Sequence, residues 1–244
     1  MSTEGLTLDR FLGGRVTAVQ LASGFRAGHD TVLLAAAVPV ERDSVVIEFG
    51  AGAGVASLCL AARMPHVCIT GIEIDPELVR IANENAVRNA VADRVSFITG
   101  DAAVLTPHVG GADHVFFNPP FHPDTGQKSP IAARDRATRD SHHAVREWTG
   151  RALSLVRNGG TVTAIVRADR VKDIQNAAGP YGGLVFPLLP RADTKPKRAI
   201  VRIVKANGAG FSHSAGLILH EADGRNTEAA EDVLRHGKPL DLAP

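Results

Sequence analysis

The stretch Ser44–Val55, SVVIEFGAGAGV, decides how this chain is read. Ser44–Phe49 is a short apolar run rich in β-branched residues, the pattern of a buried strand. Glycines at Gly50, Gly52 and Gly54 then let the backbone turn tightly and approach a ligand closely. Val55–Arg63 continues as a helix. Strand, glycine-rich turn and helix together make a site for a nucleoside or dinucleotide at the end of a parallel strand. The Gly-x-Gly-x-Gly pattern alone also suits a plain tight turn. The dinucleotide fingerprint wants a further glycine three positions after the second, where Val55 stands, and no Lys-Ser/Thr pair follows to hold a triphosphate. Glu48, Gly50, Gly52 and Gly54 are therefore candidates on the cofactor side.

Outward from this turn, strands and helices alternate. His66–Ile72 reads as the next strand, and Glu73 at its end can accept hydrogen bonds from ribose hydroxyls or serve as a solvated strand-end charge. Asp75 and Pro76 open a helix as N-cap and first-turn proline, and that helix runs to about Asn89. Arg94–Ile98 and Asp113–Phe117 are further strands. Asp101, just past the first of these, can accept from an adenine amino group or simply close a turn. Ser141–Arg157 reads as a helix stopped at Asn158-Gly159-Gly160, followed by a strand over Gly160–Val166. Lys197–Ala206 alternates basic and apolar residues, which predicts a half-exposed strand near the sheet edge. Gly216–His220 and Thr227–Arg235 predict one more strand and a last helix. Upstream, Asp30–Pro39 predicts a short helix stopped by proline. The pattern predicts an α/β fold with a mostly parallel sheet covered on both faces. Residues 1–40 form an N-terminal strand and helix extension packing on the core, and residues 41–244 the main domain. Phe121–Asp140, with prolines and many charges, reads as a mobile loop.

Phe117 leads into Asn118-Pro119-Pro120-Phe121. The two prolines fix the backbone and remove two donors, leaving local carbonyls free to accept. Asn118 adds a side-chain acceptor and is a candidate on the cofactor side as well. An amino group conjugated to a ring is a poor nucleophile, and two acceptors gripping its hydrogens favour a pyramidal, reactive form. Phe121 offers a face for a base to stack on. The same tetrapeptide also suits a rigid turn with a core phenylalanine. Trp148, inside a predicted helix, reads as core.

Apolar residues make up 44% and charged residues 22% of the 244, as in an ordinary globular domain. No apolar run reaches the roughly 18 residues needed to cross a bilayer. The first residues lack the basic and apolar regions of a secretory leader. Cys59 and Cys68 lie in apolar segments and read as reduced core thiols of a cytoplasmic protein. No Cys- or His-rich cluster suggests a metal, and His142-His143 reads as a helix start. The net charge of +1 conceals an asymmetry: Lys128–Lys205 carries 16 Lys/Arg against 6 Asp/Glu. Such a segment is either solvated surface or a stripe that attracts a polyanion such as RNA. Arg134, Arg136 and Arg139, and also Lys195, Lys197 and Arg198, are the candidates for phosphate contact.

Taken together, these residues resemble the class I S-adenosylmethionine methyltransferases that carry an N-P-P-[YF] motif. Gly50, Gly52 and Gly54 match the cofactor loop, Glu73 the ribose acid, Asp101 the adenine-side acid, and Asn118–Phe121 the catalytic tetrapeptide. In spacing and flanks (FLGGRV at 11–16, GFRAGHDTVLLAAAVP at 24–39, LILHEADG at 217–224) the chain is most similar to the bacterial tRNA(Val) adenine-N6-methyltransferase family. The resemblance covers nearly the whole chain. It implies a seven-stranded Rossmann-like sheet with a reversed last strand. It also implies S-adenosyl-L-methionine as cofactor, S-adenosylhomocysteine as product, and a tRNA substrate. Asp30 lies in a segment that relatives place near the cofactor's methionine end, although helix capping would equally account for it. Phe121-His122 is also similar to ribosomal RNA guanine-N2 methyltransferases. Glutamine-N5 methylation of a protein needs the same Asn-Pro-Pro grip, and a non-catalytic nucleoside- or RNA-binding module is the reading outside enzymes.

Overall fold

The computed structural model describes residues 5–104, 111–119, 141–208 and 210–242. The readings made for Pro120, Phe121, Arg134, Arg136, Arg139 and the rest of the 121–140 loop lie outside these residues.

The core is a twisted sheet in which β3 (Val45–Phe49), β4 (Cys68–Glu73), β5 (Val95–Thr99), β6 (Ala112–Phe117) and β7 (Val156–Arg167) run parallel. β8 (Tyr181–Leu189) follows, and β9 (Arg198–Asn207) runs antiparallel between β7 and β8. The spatial order is β8-β9-β7-β6-β3-β4-β5. This is the seven-stranded Rossmann-like path with one reversed strand, and two short strands, β10 (Phe211–His213) and β11 (Leu217–Ile218), extend it along β8.

Alternate residues of each strand feed two apolar layers. Val46 and Phe116 pack toward α1 (His29–Ala37), α2 (Val55–Arg63) and α3 (Pro76–Arg88). Ile47 and Phe117 pack toward α4 (Ser141–Leu155) and α5 (Val171–Ala177). The last helix, α6 (Glu228–Leu234), has Thr227 as its N-cap, accepting from the Ala230 N–H at 3.2 Å, and joins the first layer.

Three expectations are corrected. β9 lies near the edge as read, one strand in from β8, but it is not half-exposed: Ala199, Ile200, Val201 and Ile203 are buried. Its charged residues mislead because they reach out of the sheet to backbone oxygens. Arg202 donates to the Ala37 carbonyl, beside Arg63, which donates to Ala35 and Val38 at 2.8 and 3.0 Å. Both cations thus serve the carbonyl end of α1. Cys68 is exposed at the start of β4, whereas Cys59 is buried. Asp30 does not cap α1; Gly28 holds that position, and Asp30 pairs with Arg198 at 3.0 Å.

Before the sheet, β1 (Leu6–Phe11) and β2 (Val16–Leu21) form an antiparallel hairpin turned at Leu12–Gly14. Its outer edge meets α3 through asparagine amides. Asn89 accepts from the Thr17 N–H at 3.0 Å and donates to the Thr17 carbonyl at 2.7 Å. Asn85 does the same to Val19, at 2.8 and 2.9 Å. Asn83 makes an equivalent pair with Phe97 on β5, the edge strand of the main sheet. One helix therefore satisfies two exposed strand edges, the groups that would otherwise pair with another chain.

Phe97 is the keystone beneath the glycine turn. A Cβ at Gly71 would overlap its ring, and one at Gly54 would also meet it. Overpacking of this kind costs about 1–3 kcal/mol. Gly71→Ala is expected to lower stability by that amount in urea unfolding, with Phe97→Leu recovering part of the loss in the double variant. Additive losses would show that ring and glycine are not coupled.

Candidate active site

Chain order reverses between β3 and β6: from β3 the chain steps outward to β4 and β5, then returns to β6 on the other side. In open α/β sheets the crevice at such a switch point binds ligands at the carboxyl ends of the strands. The parallel register pairs Phe49 with Phe117. The residues that follow, Gly50 and Asn118, therefore leave the sheet side by side. The glycine turn and the Asn-Pro pair, separated by nearly 70 residues in the chain, become neighbours through this register.

The turn is braced from several sides. The Ala51 N–H donates to the Ile72 carbonyl at 3.1 Å. Gly50, Gly52 and Gly54 all have left-handed backbones, with φ of 63°, 55° and 81°, a region disfavoured for side-chain-bearing residues. Gly50 is close to Trp148, whose ring tip would stand 2.8 Å from an added Cβ. Around Gly52, in contrast, an added Cβ would meet nothing within 4 Å among the described residues. Gly50 and Gly54 are thus backed by aromatic rings, while Gly52 faces open space.

Glu73, at the end of β4, is nearly buried. One carboxylate oxygen accepts from the Gly52 N–H at 2.8 Å and the other from the Asp75 N–H at 3.0 Å. A carboxylate has about four acceptor positions, so these bonds leave capacity for hydroxyl donors. Gly100 N–H donates to the Glu73 carbonyl at 2.9 Å, which ties the end of β5 to the same place. Asp101 comes next, exposed, with one oxygen accepting from the Ala103 N–H at 2.9 Å. The turn-closing role and the acceptor role weighed for this residue are therefore compatible. Asp75 caps α3 through the Glu77 N–H, as its position before Pro76 predicts.

Glu48 lies beneath the turn. Its carboxylate accepts from the Ser57 N–H at 3.1 Å and from the Ser57 hydroxyl. Burial raises its pKa to about 8, against the opposing pull of the Ser57 bonds. Asn118 is half-buried and Pro119 buried. The Asn118 Oδ1 is shielded from solvent and has no hydrogen-bond partner among the described residues. A buried acceptor left unpaired is unfavourable by about 1–3 kcal/mol, so an N–H donor arriving there gains more than at an exposed site.

Trp148 on α4, expected as core, is half-buried and does pack on the core, but at the site itself. Its ring meets Phe49 and Phe117 edge-on, with centroids 6.0 and 5.8 Å apart. Those two residues immediately precede Gly50 and Asn118, so one indole supports both halves of the site. Nothing local in the sequence pairs Trp148 with these positions. Asp30 and Arg198 pair with each other farther along the same strand-end face, over β9. Lys195 and Lys197 are exposed in the preceding turn. Among the described residues no group of three His, Cys, Asp or Glu is gathered as for a metal ion, and no helix is long and apolar enough to cross a membrane.

A left-handed glycine turn open at Gly52, an acid on the next strand and an unpaired amide oxygen beside the turn fit S-adenosylmethionine. Fold and site together define a class I S-adenosylmethionine-dependent methyltransferase. The profile of the family described as Methyltransferase small domain matches residues 23–158, more than half of the chain, and the chain belongs to that family. Among similar proteins is a tRNA1(Val) (adenine(37)-N6)-methyltransferase of Yersinia enterocolitica, 31% identical, covering 82% of this chain and 80% of the relative. Another of the same description, from Porphyromonas gingivalis, is 30% identical over 80% of this chain and 79% of its own length. A solved structure of a predicted O-methyltransferase from Agrobacterium tumefaciens has the same fold, with a TM-score of 0.68, 23% identity, and coverage of 84% of this chain and 94% of that one.

The buried Glu48 gives this site a pH signature. Its folded pKa of about 8 lies above its ordinary value of 4.5. Its contribution to stability is therefore fully present below about pH 4.5 and is lost as pH rises toward 8. One pKa unit corresponds to about 1.4 kcal/mol. In cofactor-free urea titrations, Glu48→Gln is expected to gain at least about 1 kcal/mol on the parent between pH 5 and pH 8. A stability difference that stays level across that range would contradict a neutral, buried Glu48.

Proposed function

We propose that this methyltransferase transfers its methyl group to an exocyclic amino nitrogen, adenine N6 in a tRNA. The unpaired, buried Oδ1 of Asn118 beside Gly50 is the observation that carries this reading. S-adenosylmethionine, when bound, supplies an electrophilic methyl group on a sulfonium. Gly50, Gly52 and Gly54 let the main chain approach it, Glu73 takes the ribose hydroxyls, Asp101 the adenine side, and Glu48 supports the loop from below through Ser57. Asp30 takes the methionine end in this reading, which requires it to exchange its pairing with Arg198 for the ligand.

Asn118 Oδ1 accepts one hydrogen of the target amine, and the adjoining main-chain oxygen accepts the other. Pro119 and Pro120 have no N–H to compete for those oxygens. Gripping both hydrogens draws the nitrogen lone pair out of conjugation and aims it. The surplus proton leaves to water after transfer, so no general base is needed. Phe121 stacks on the base.

The names of the relatives support a tRNA adenine as substrate, and the distribution of basic residues suits a polyanion such as RNA. Because Leu188 and Arg167 both pair with Arg198, the β8–β9 turn stands at the same end of the sheet as Asn118. Lys195, Lys197 and Arg198 thus sit on the strand-end face, and together with Arg134, Arg136 and Arg139 they hold RNA phosphates. Such an enzyme works in the cytoplasm, where tRNA is matured.

The decisive experiment supplies labelled S-adenosylmethionine with tRNA, ribosomal RNA or a protein extract and identifies the methylated product after digestion. N6-methyladenosine in tRNA is expected; label confined to glutamine or to guanine N2 would overturn the substrate. Asn118→Ala is expected to lower kcat by about 100-fold or more while the cofactor Kd stays within about twofold. Substantial turnover in this variant would remove the grip from the mechanism. Lys195→Glu with Lys197→Glu is expected to raise the KM for RNA and flatten its salt dependence, leaving cofactor affinity unchanged.

A further inference from the structure

We infer that Asn85 is a positioning residue that couples the N-terminal hairpin to the cofactor loop, so that cofactor binding tightens the hairpin. Asn85 is completely buried on α3. Its Oδ1 accepts from the Val19 N–H on β2, and its Nδ2 donates both to the Val19 carbonyl, at 2.9 Å, and to the Ala53 carbonyl, at 3.0 Å. Ala53 lies inside the glycine turn, between Gly52, whose N–H is held by Glu73, and Gly54, which rests on Phe97. One amide group therefore grips a strand of the hairpin and the loop that receives the cofactor.

The geometry that permits this is set by two backbone repeats. Four residues of helix advance about 6 Å, and two residues of strand about 6.7 Å. Asn85 and Asn89 therefore match Val19 and Thr17, and the helix presents a pair of amides to the β2 edge. Asn89 spends its amide on Thr17 and on the Asn85 carbonyl. Asn85 alone of the two reaches the loop. A loop carbonyl with a fixed, buried donor keeps its peptide plane in one orientation, and with it the Gly54 N–H that closes the turn on the Ala51 carbonyl at 2.9 Å. Coupling of this kind is reciprocal: whatever orders the loop must also steady the hairpin.

The pair of asparagines supplies its own control. Both variants lose the hairpin bonds at one position, but only Asn85→Ala loses the bond to Ala53. Calorimetric titration with S-adenosylhomocysteine is expected to show a Kd raised about tenfold for Asn85→Ala and changed less than about twofold for Asn89→Ala. Equal weakening in both would place the effect in the hairpin as a whole and overturn the proposal. In the unaltered protein, saturating S-adenosylhomocysteine is expected to slow hydrogen exchange at the Val19 amide. That measurement needs no variant, so it decides the matter even if Asn85→Ala fails to fold. Unchanged exchange at Val19 would equally overturn the coupling. Neither readout depends on which substrate is methylated.

Discussion

Phe49 and Phe117 pair across two parallel strands, and from that register the working end of the molecule follows. Beyond each phenylalanine the chain leaves the sheet, into the glycine turn on one side and into Asn118-Pro119 on the other. The glycine turn and the Asn118-Pro119 pair are thus neighbours because of backbone hydrogen bonds. Slipping a strand by one residue would turn its side chains to the opposite face of the sheet. With Phe116 buried in one apolar layer and Phe117 in the other, such a slip is strongly opposed.

Aromatic packing then makes the arrangement rigid. Trp148 lies edge-on against both phenylalanines and beside Gly50, while Phe97 fills the space under Gly54 and Gly71. The glycines do two kinds of work here. Gly52 has open space around it, as close approach by a ligand requires; Gly50, Gly54 and Gly71 make room for rings beneath or beside the turn. Helix α3 adds a third restraint, with Asn83, Asn85 and Asn89 completing the hydrogen bonding of two strand edges and of the loop itself.

Charge is distributed in keeping with this geometry. Among the described residues the side chains around the turn are acidic or neutral, with Glu73 bonded to main-chain N–H groups and Glu48 kept largely protonated by burial up to about pH 8. Lys195 and Lys197 stand on the same strand-end face farther along the sheet, over β8 and β9. A polyanion can approach along that side without its phosphates being drawn into the acidic crevice.

The sequence by itself determined the alternation of strands and helices, the glycine turn, the acid ending β4, the Asp75 cap and the Asn-Pro-Pro tetrapeptide. Each of these is a local pattern, set by backbone preference or by side-chain periodicity within a dozen residues. Tertiary structure alone decided the rest. The burial of β9 was hidden because Arg202 looks like an exposed residue until the α1 carbonyl that accepts its hydrogen bond is seen. Nothing local marks Asn83, Asn85 and Asn89 within their helix, and only the strands laid against them turn their amides into backbone partners. Likewise Trp148 read simply as core. Its contacts are made across about 100 residues by Phe49 and about 30 by Phe117, and packing over such separations leaves no trace in local spacing.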